Sequence, residues 1–153
     1  MLTERLDADL KAAMREGDKV RLRTLRALKT AITEREIENR KGGTGSISEE
    51  EEIAVLQRQA KQRRDSIEQF ETASRPDLAE AEREELEILE TYLPTQMTDD
   101  EILAVLREVI EEVGATEPRD MGRVMGATMP RMQGRADGRR INELARDLLT
   151  GNA

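Results

Sequence analysis

Residues 121–149 read MGRVMGATMPRMQGRADGRRINELARDLL. The last third of this stretch decides the fold class. Ile141, Leu144, Ala145, Leu148 and Leu149 recur at i, i+3, i+4, i+7 and i+8, the apolar stripe of a helix packed on a core. The spacing predicts a helix over 138–149 with Asp137 as its N-cap. Upstream, Met121, Val124 and Met125 are inward positions of a helix predicted over 120–129 and ended by Pro130. Gly122 and Gly126 stand four apart on that helix, so a neighbouring helix could approach closely where no Cβ intervenes. Between the two helices, Gly134 and Gly138 bracket Arg135-Ala136-Asp137, a spacing that predicts tight turns. The segment also reverses the charge of the chain. From Pro118 to Leu149 seven arginines face four carboxylates, a surplus of three cations in a protein of net charge −8.

Reading outward from this stretch gives helices and no strands. Residues 3–16 repeat Leu6, Leu10 and Met14 behind Thr3 as N-cap and stop at Gly17. Asp18 caps a helix over 19–40 with Leu22, Leu25, Leu28 and Ile32 buried. Its other side carries Lys19, Arg21, Arg23, Arg26 and Lys29, which ordinary amphipathicity reads as a solvated face. The run KGGTGSIS at 41–48 is read as a flexible loop, with Ser48 and Glu51 forming a capping box for the next helix. In that helix, 49–73, Ile53, Leu56, Ala60, Ile67 and Phe70 follow a 3-4-3-4 pattern. Arg63 occupies a slot where an apolar residue is due and is expected to snorkel to the rim. Arg75-Pro76-Asp77 breaks the chain before a Glu-rich helix over 77–92, which Pro94 ends. A second capping box, Thr98 with Glu101, opens a helix over 99–113 that stops at Gly114. The expectation is an all-α protein: an N-terminal four-helix domain, 1–95, then a small three-helix domain, 96–153.

Composition excludes several chemistries. Without histidine or cysteine there is no Ser-His or Cys-His dyad, no His-ligated zinc and no disulfide. No catalytic centre, metal or cofactor is expected from the residues present. No apolar run reaches the roughly 18 residues of a membrane span, so no membrane partner is expected, and nothing directs the chain out of the cytoplasm.

Several phrases occur in a fixed order: Leu25-Arg26-Ala27-Leu28-Lys29, Lys61-Gln62-Arg63-Arg64-Asp65-Ser66-Ile67 with Phe70, and Arg75-Pro76-Asp77-Leu78-Ala79. Glu87-Ile88-Leu89, Tyr92-Leu93-Pro94-Thr95-Gln96, Met121-Gly122-Arg123-Val124-Met125 and Gly134-Arg135-Ala136-Asp137-Gly138 with Asn142 follow. Together, over about residues 3–149, they resemble the GatB/YqeY family, in particular its stand-alone YqeY-like members. The resemblance implies an all-helical protein of two helical domains. It also implies likeness to the tail of the GatB component of the glutamine-dependent tRNA amidotransferase, a part associated with holding tRNA. A label of carbon–nitrogen ligase with glutamine as amide donor would be inherited from that larger enzyme.

The expected function is therefore an accessory module for tRNA or another structured RNA. Clustered arginines pair with phosphate through two hydrogen bonds at a time. Arg131, Arg135, Arg139 and Arg140 form one candidate phosphate-binding group, and Lys61 with Arg64, one helical turn apart, forms a second. One Phe and one Tyr give no platform for stacking unpaired bases, so recognition would be of shape and backbone. The alternative is a protein-interaction module, in which Gly122, Gly126 and the methionines 121, 125, 129 and 132 line an adaptable groove. Ordinary core packing is the competing account of those methionines. A lesser alternative is an amidase-like activity of the chain itself.

Overall fold

The computed structural model describes residues 2–43 and 45–151. Thr44, in the loop expected to be flexible, lies outside them. Among the described residues there are seven α-helices and no strand: α1 (Leu2–Glu16), α2 (Lys19–Lys41), α3 (Glu49–Thr72), α4 (Pro76–Glu90), α5 (Asp99–Val113), α6 (Met121–Thr128) and α7 (Gly138–Thr150). They divide into two compact units between Leu93 and Pro94.

The helix ends follow local chemistry. Asp18 accepts from the Arg21 N–H at 3.0 Å and starts α2. Both capping boxes form. Ser48 accepts from Glu51 N at 3.2 Å while Glu51 accepts from Ser48 N at 3.0 Å. Thr98 and Glu101 do the same at 3.3 and 2.8 Å. Each satisfies two N–H groups that the first turn of a helix leaves without partners. Gly114 ends α5 in the left-handed conformation. Among the differences from the expected boundaries, three stand out. Thr3 lies inside α1, which begins at Leu2. Helix α4 stops at Glu90, and Thr91 and Tyr92 form a turn that folds the tyrosine back into the core. The 120–129 helix is α6 flanked by 3-10 turns at Pro118–Asp120 and Met129–Met132, so Pro130 sits within a turn that begins after Thr128.

In the first unit, Leu6, Leu25, Leu28, Ile32, Leu56, Leu89 and Tyr92 make the core. Beside it lies a polar cluster that periodicity does not disclose. Arg63 of α3 approaches Glu85 of α4 at 2.9 Å and Glu82 at 3.5 Å, and Arg23 of α2 meets Glu85 at 2.7 Å. Glu85 is only 8% exposed. Arg63 therefore does not snorkel outward; two arginines from different helices close over a buried carboxylate. Arg23 correspondingly joins α2 to α4 and is more than a solvated charge. Tyr92 donates its hydroxyl to Asp9, and the Arg5 guanidinium lies 4.4 Å from the ring centroid, which fixes α1 to the end of α4.

In the second unit, Ile102, Leu106, Val109, Val124, Met132, Ile141, Leu144 and Ala145 form the core, with Ala115 and Ala136 at its edges. Arg123 donates to the carbonyl of Val113 at 2.9 Å and to Asp120 at 2.8 Å, holding the end of α5 to the start of α6.

Candidate nucleic-acid interface

The loop between α6 and α7 is held from outside. Gln96 donates its side-chain amide to Gly134 O and Pro94 O, each at 2.8 Å. Met97 N donates to Arg135 O at 2.7 Å, and Arg135 N closes the turn onto Met132 O at 2.9 Å. Gly134 sits at φ +75° and is buried, a conformation that disfavours a Cβ. Ala136 points into the core, while Arg135 before it and Arg139 three residues later are exposed. The alternation in–out across 134–136 thus turns a flexible-looking sequence into a fixed support for Arg135. Asp137 caps α7 as expected, accepting from the Arg139 N–H at 3.4 Å.

The expected phosphate-binding residues differ in availability. Arg135 makes a long hydrogen bond to Thr95 O at 3.4 Å and meets no carboxylate among the described residues. Arg140 is engaged twice, with Asp99 at 2.6 Å and Glu143 at 3.0 Å. The Asp99 hydrogen bond raises the Arg140 pKa and Arg140 lowers that of Asp99. Arg131 pairs with Glu112. In the first unit Lys61 pairs with Asp65 at 2.8 Å and Arg64 with Glu90 at 3.0 Å. Arg64–Glu90 is part-buried; the exposed pairs are worth about 0–1 kcal/mol each, so a phosphate can displace their carboxylates, at a cost in affinity.

Two glycine expectations need correction. A Cβ built on Gly122 or Gly126 meets no atom within 4 Å, and both residues are exposed. They share a face, but no helix of the described chain packs over it. Gly138 has no left-handed φ, and a Cβ there would touch Met129 Cε at an ordinary 3.6 Å. It is the first residue of α7, where alanine is equally at home. The four methionines divide between the two accounts given for them. Met132 is buried, Met121 and Met125 are partly buried against the core, and Met129 is 41% exposed beside the open glycine face.

A groove of about 350 Å³ also opens between α2 and α3, lined by Ala31, Ala54, Glu34, Arg58, Gln59 and Gln62 among others. Arg35, which also lines it, is tied to Glu51 at 2.7 Å.

A family model described as Yqey-like protein matches residues 3–149. The chain belongs to the YqeY-like family. Among curated relatives of this YqeY-like chain is the protein named "Altered inheritance of mitochondria protein 41, mitochondrial". The one from Pyrenophora tritici-repentis is 36% identical over 126 residues, covering 79% of this chain and 67% of the relative. That from Clavispora lusitaniae is 33% identical, covering 76% and 66%. That from Kluyveromyces lactis is 32% identical, covering 74% and 60%. The YqeY-like chain thus aligns with about two thirds of the length of these relatives, whose names place them in mitochondria.

Proposed function

We propose that this YqeY-like protein is a binding module for structured RNA, with tRNA as the first ligand to test, and that it has no catalytic centre of its own. The observation that supports this most is the Gln96- and Met97-anchored loop, which presents Arg135 on a fixed support with no carboxylate among the described residues neutralising it. Arg139 follows on the first turn of α7, Arg131 and Arg140 flank it, and Lys61 with Arg64 remain a second candidate group. A rigid cationic loop without aromatic residues suits the phosphate backbone of a duplex. The relatives named mitochondrial put the organelle beside the cytoplasm as a compartment for the same activity, since both contain tRNA.

Fluorescence anisotropy with labelled unfractionated tRNA tests the reading. Binding at low salt with log K falling against log salt at a slope of about −3 to −4 is expected for about four phosphates. Arg135→Glu with Arg139→Glu should weaken binding and flatten that slope. Absence of binding at low salt overturns the reading. A protein-interaction module is the second reading, favoured by the uncovered face of Gly122 and Gly126 beside exposed Met129. Retention of a defined protein partner by the wild type and its loss on Gly126→Leu would support it. The carbon–nitrogen ligase label is tested separately, by glutamine hydrolysis with the purified chain.

A further inference from the structure

The most basic stretch of helix in the protein lies outside the arginine-rich loop. From Lys19 to Thr33, the first four turns of α2 carry five cations and no carboxylate, in a chain where acids outnumber bases by eight. Three of the five are held by carboxylates of other segments: Arg21 by Asp9 and Glu16, Arg23 by Glu85, and Lys29 by Asp7. The side chains of Lys19 and Arg26 have no hydrogen-bond or ion-pair partner among the described residues, and both are exposed. Positions 19, 23 and 26 follow i, i+4 and i+7, so these residues share one side of the helix along about 10 Å. Arg23 keeps 61% of its side chain exposed while touching Glu85. Thr30 continues the stripe, exposed.

The surroundings of these groups narrow the ligand. No apolar residue interrupts the stripe between Lys19 and Thr30, so it lacks the apolar centre a protein interface would bury. Exposed Ile37 comes later, beyond the carboxylate of Glu34. No aromatic stands on it, so unpaired bases would find nothing to stack on. What remains is charge along a rigid line, next to the positive pole of a helix whose cap, Asp18, is already used by Arg21 N. We infer that the Lys19–Arg23–Arg26 side of α2 is a further contact surface for the phosphate backbone of structured RNA, in addition to the loop of the second unit. The inference rests on the RNA-binding reading, and assigns a recognition role to residues that amphipathicity alone treats as solvated.

The test compares labelled tRNA binding by the full chain, its Lys19→Gln/Arg26→Gln variant and the Arg135→Glu/Arg139→Glu variant across a salt series. Lys19 and Arg26 are chosen because their removal leaves no buried carboxylate without a partner, and thermal melts should coincide. The α2 variant is expected to bind at least about tenfold more weakly at low salt, with a slope shallower by about 2. Lys19→Arg/Arg26→Lys, which keeps both charges, should restore wild-type slope and affinity. If the wild type binds, the loop variant is weakened and the α2 variant matches wild type, this inference fails and the RNA-binding reading stands. If the wild type does not bind, both fail. Displacement of the tRNA by poly-glutamate at equal charge would show a generic anion surface or an acidic protein ligand, and would also overturn the inference.

Discussion

The side-chain amide of Gln96 donates to the carbonyl of Gly134, 38 residues later in the chain, at 2.8 Å. The same nitrogen reaches Pro94 O, so one side chain ties the segment entering the second unit to the loop before α7. Gln96→Ala would leave both part-buried carbonyls to find water. A loss of about 1–2 kcal/mol in urea unfolding is expected, together with faster amide exchange at Arg135. A variant as stable as wild type would show that the amide only decorates the loop.

The two glycines of that loop should separate cleanly. Gly134 is buried at φ +75°, and Gly134→Ala should cost about 1 kcal/mol or more. Gly138→Ala, at an ordinary φ with room for a methyl, should leave the midpoint unchanged or raised. Equal effects in the two variants would contradict the backbone account.

Removal of Glu85 should be more damaging than removal of either arginine that covers it. Glu85→Ala leaves Arg23 and Arg63 facing each other without their shared carboxylate, and a loss of about 2 kcal/mol or more is expected. Arg23→Gln, from the exposed side of the cluster, should cost less because Arg63 remains. A double-mutant cycle between Arg63 and Glu85 measures the coupling; a value near zero would mean the cluster contributes nothing to α3–α4 packing.

Acid stability should depend on two carboxyls at helix starts. The Ser48 backbone N–H, followed by Arg35, holds Glu51 down to about 2. The Thr116 N–H, followed by Arg123, does the same for Asp120. Both folded values lie below the roughly 4 of a free carboxyl, so their stabilisation is complete above that pH and is lost as pH falls through about 2. Urea midpoints measured from about pH 5 to pH 2 should fall less steeply for Glu51→Gln than for wild type. Parallel limbs would count against it.

At the alkaline end the sign is opposite. Burial, then the hydrogen bond to Asp9, raises the Tyr92 pKa above its usual 10.0. The folded state therefore prefers the protonated phenol, and its contribution is present below about pH 10 and lost as pH rises beyond. Tyr92 is the only tyrosine, so ultraviolet absorbance reports it directly. Tyrosinate should appear only with unfolding, and at lower pH in Asp9→Asn.

Most of the fold is readable because helix starts and stripes are local. Asp18, Ser48 with Glu51, Thr98 with Glu101, and Asp137 each act within three residues of themselves. Arg63 escapes such a reading because its partners stand on another helix, and period alone cannot say which helix faces it. Gly122 and Gly126 show the same limit: spacing identifies their common face, but not that the face is uncovered. The candidate interface is only partly legible for a related reason. Counting arginines singles out the loop, whereas the carboxylates that engage Arg131 and Arg140 come from α5, its N-terminal end and the next turn of α7.

The clasp formed by residues 94–97 bears on how this chain can be divided for expression. All three α-helices of the second unit lie beyond Thr98, so a fragment cut there would keep every one of them and every fully buried core residue. It would nevertheless lose Gln96, Met97 and the Thr95 carbonyl, which together fasten the backbone and side chain of the loop. A truncation begun at Pro94 retains that short extended lead-in, and is the shorter piece expected to behave as an independent body.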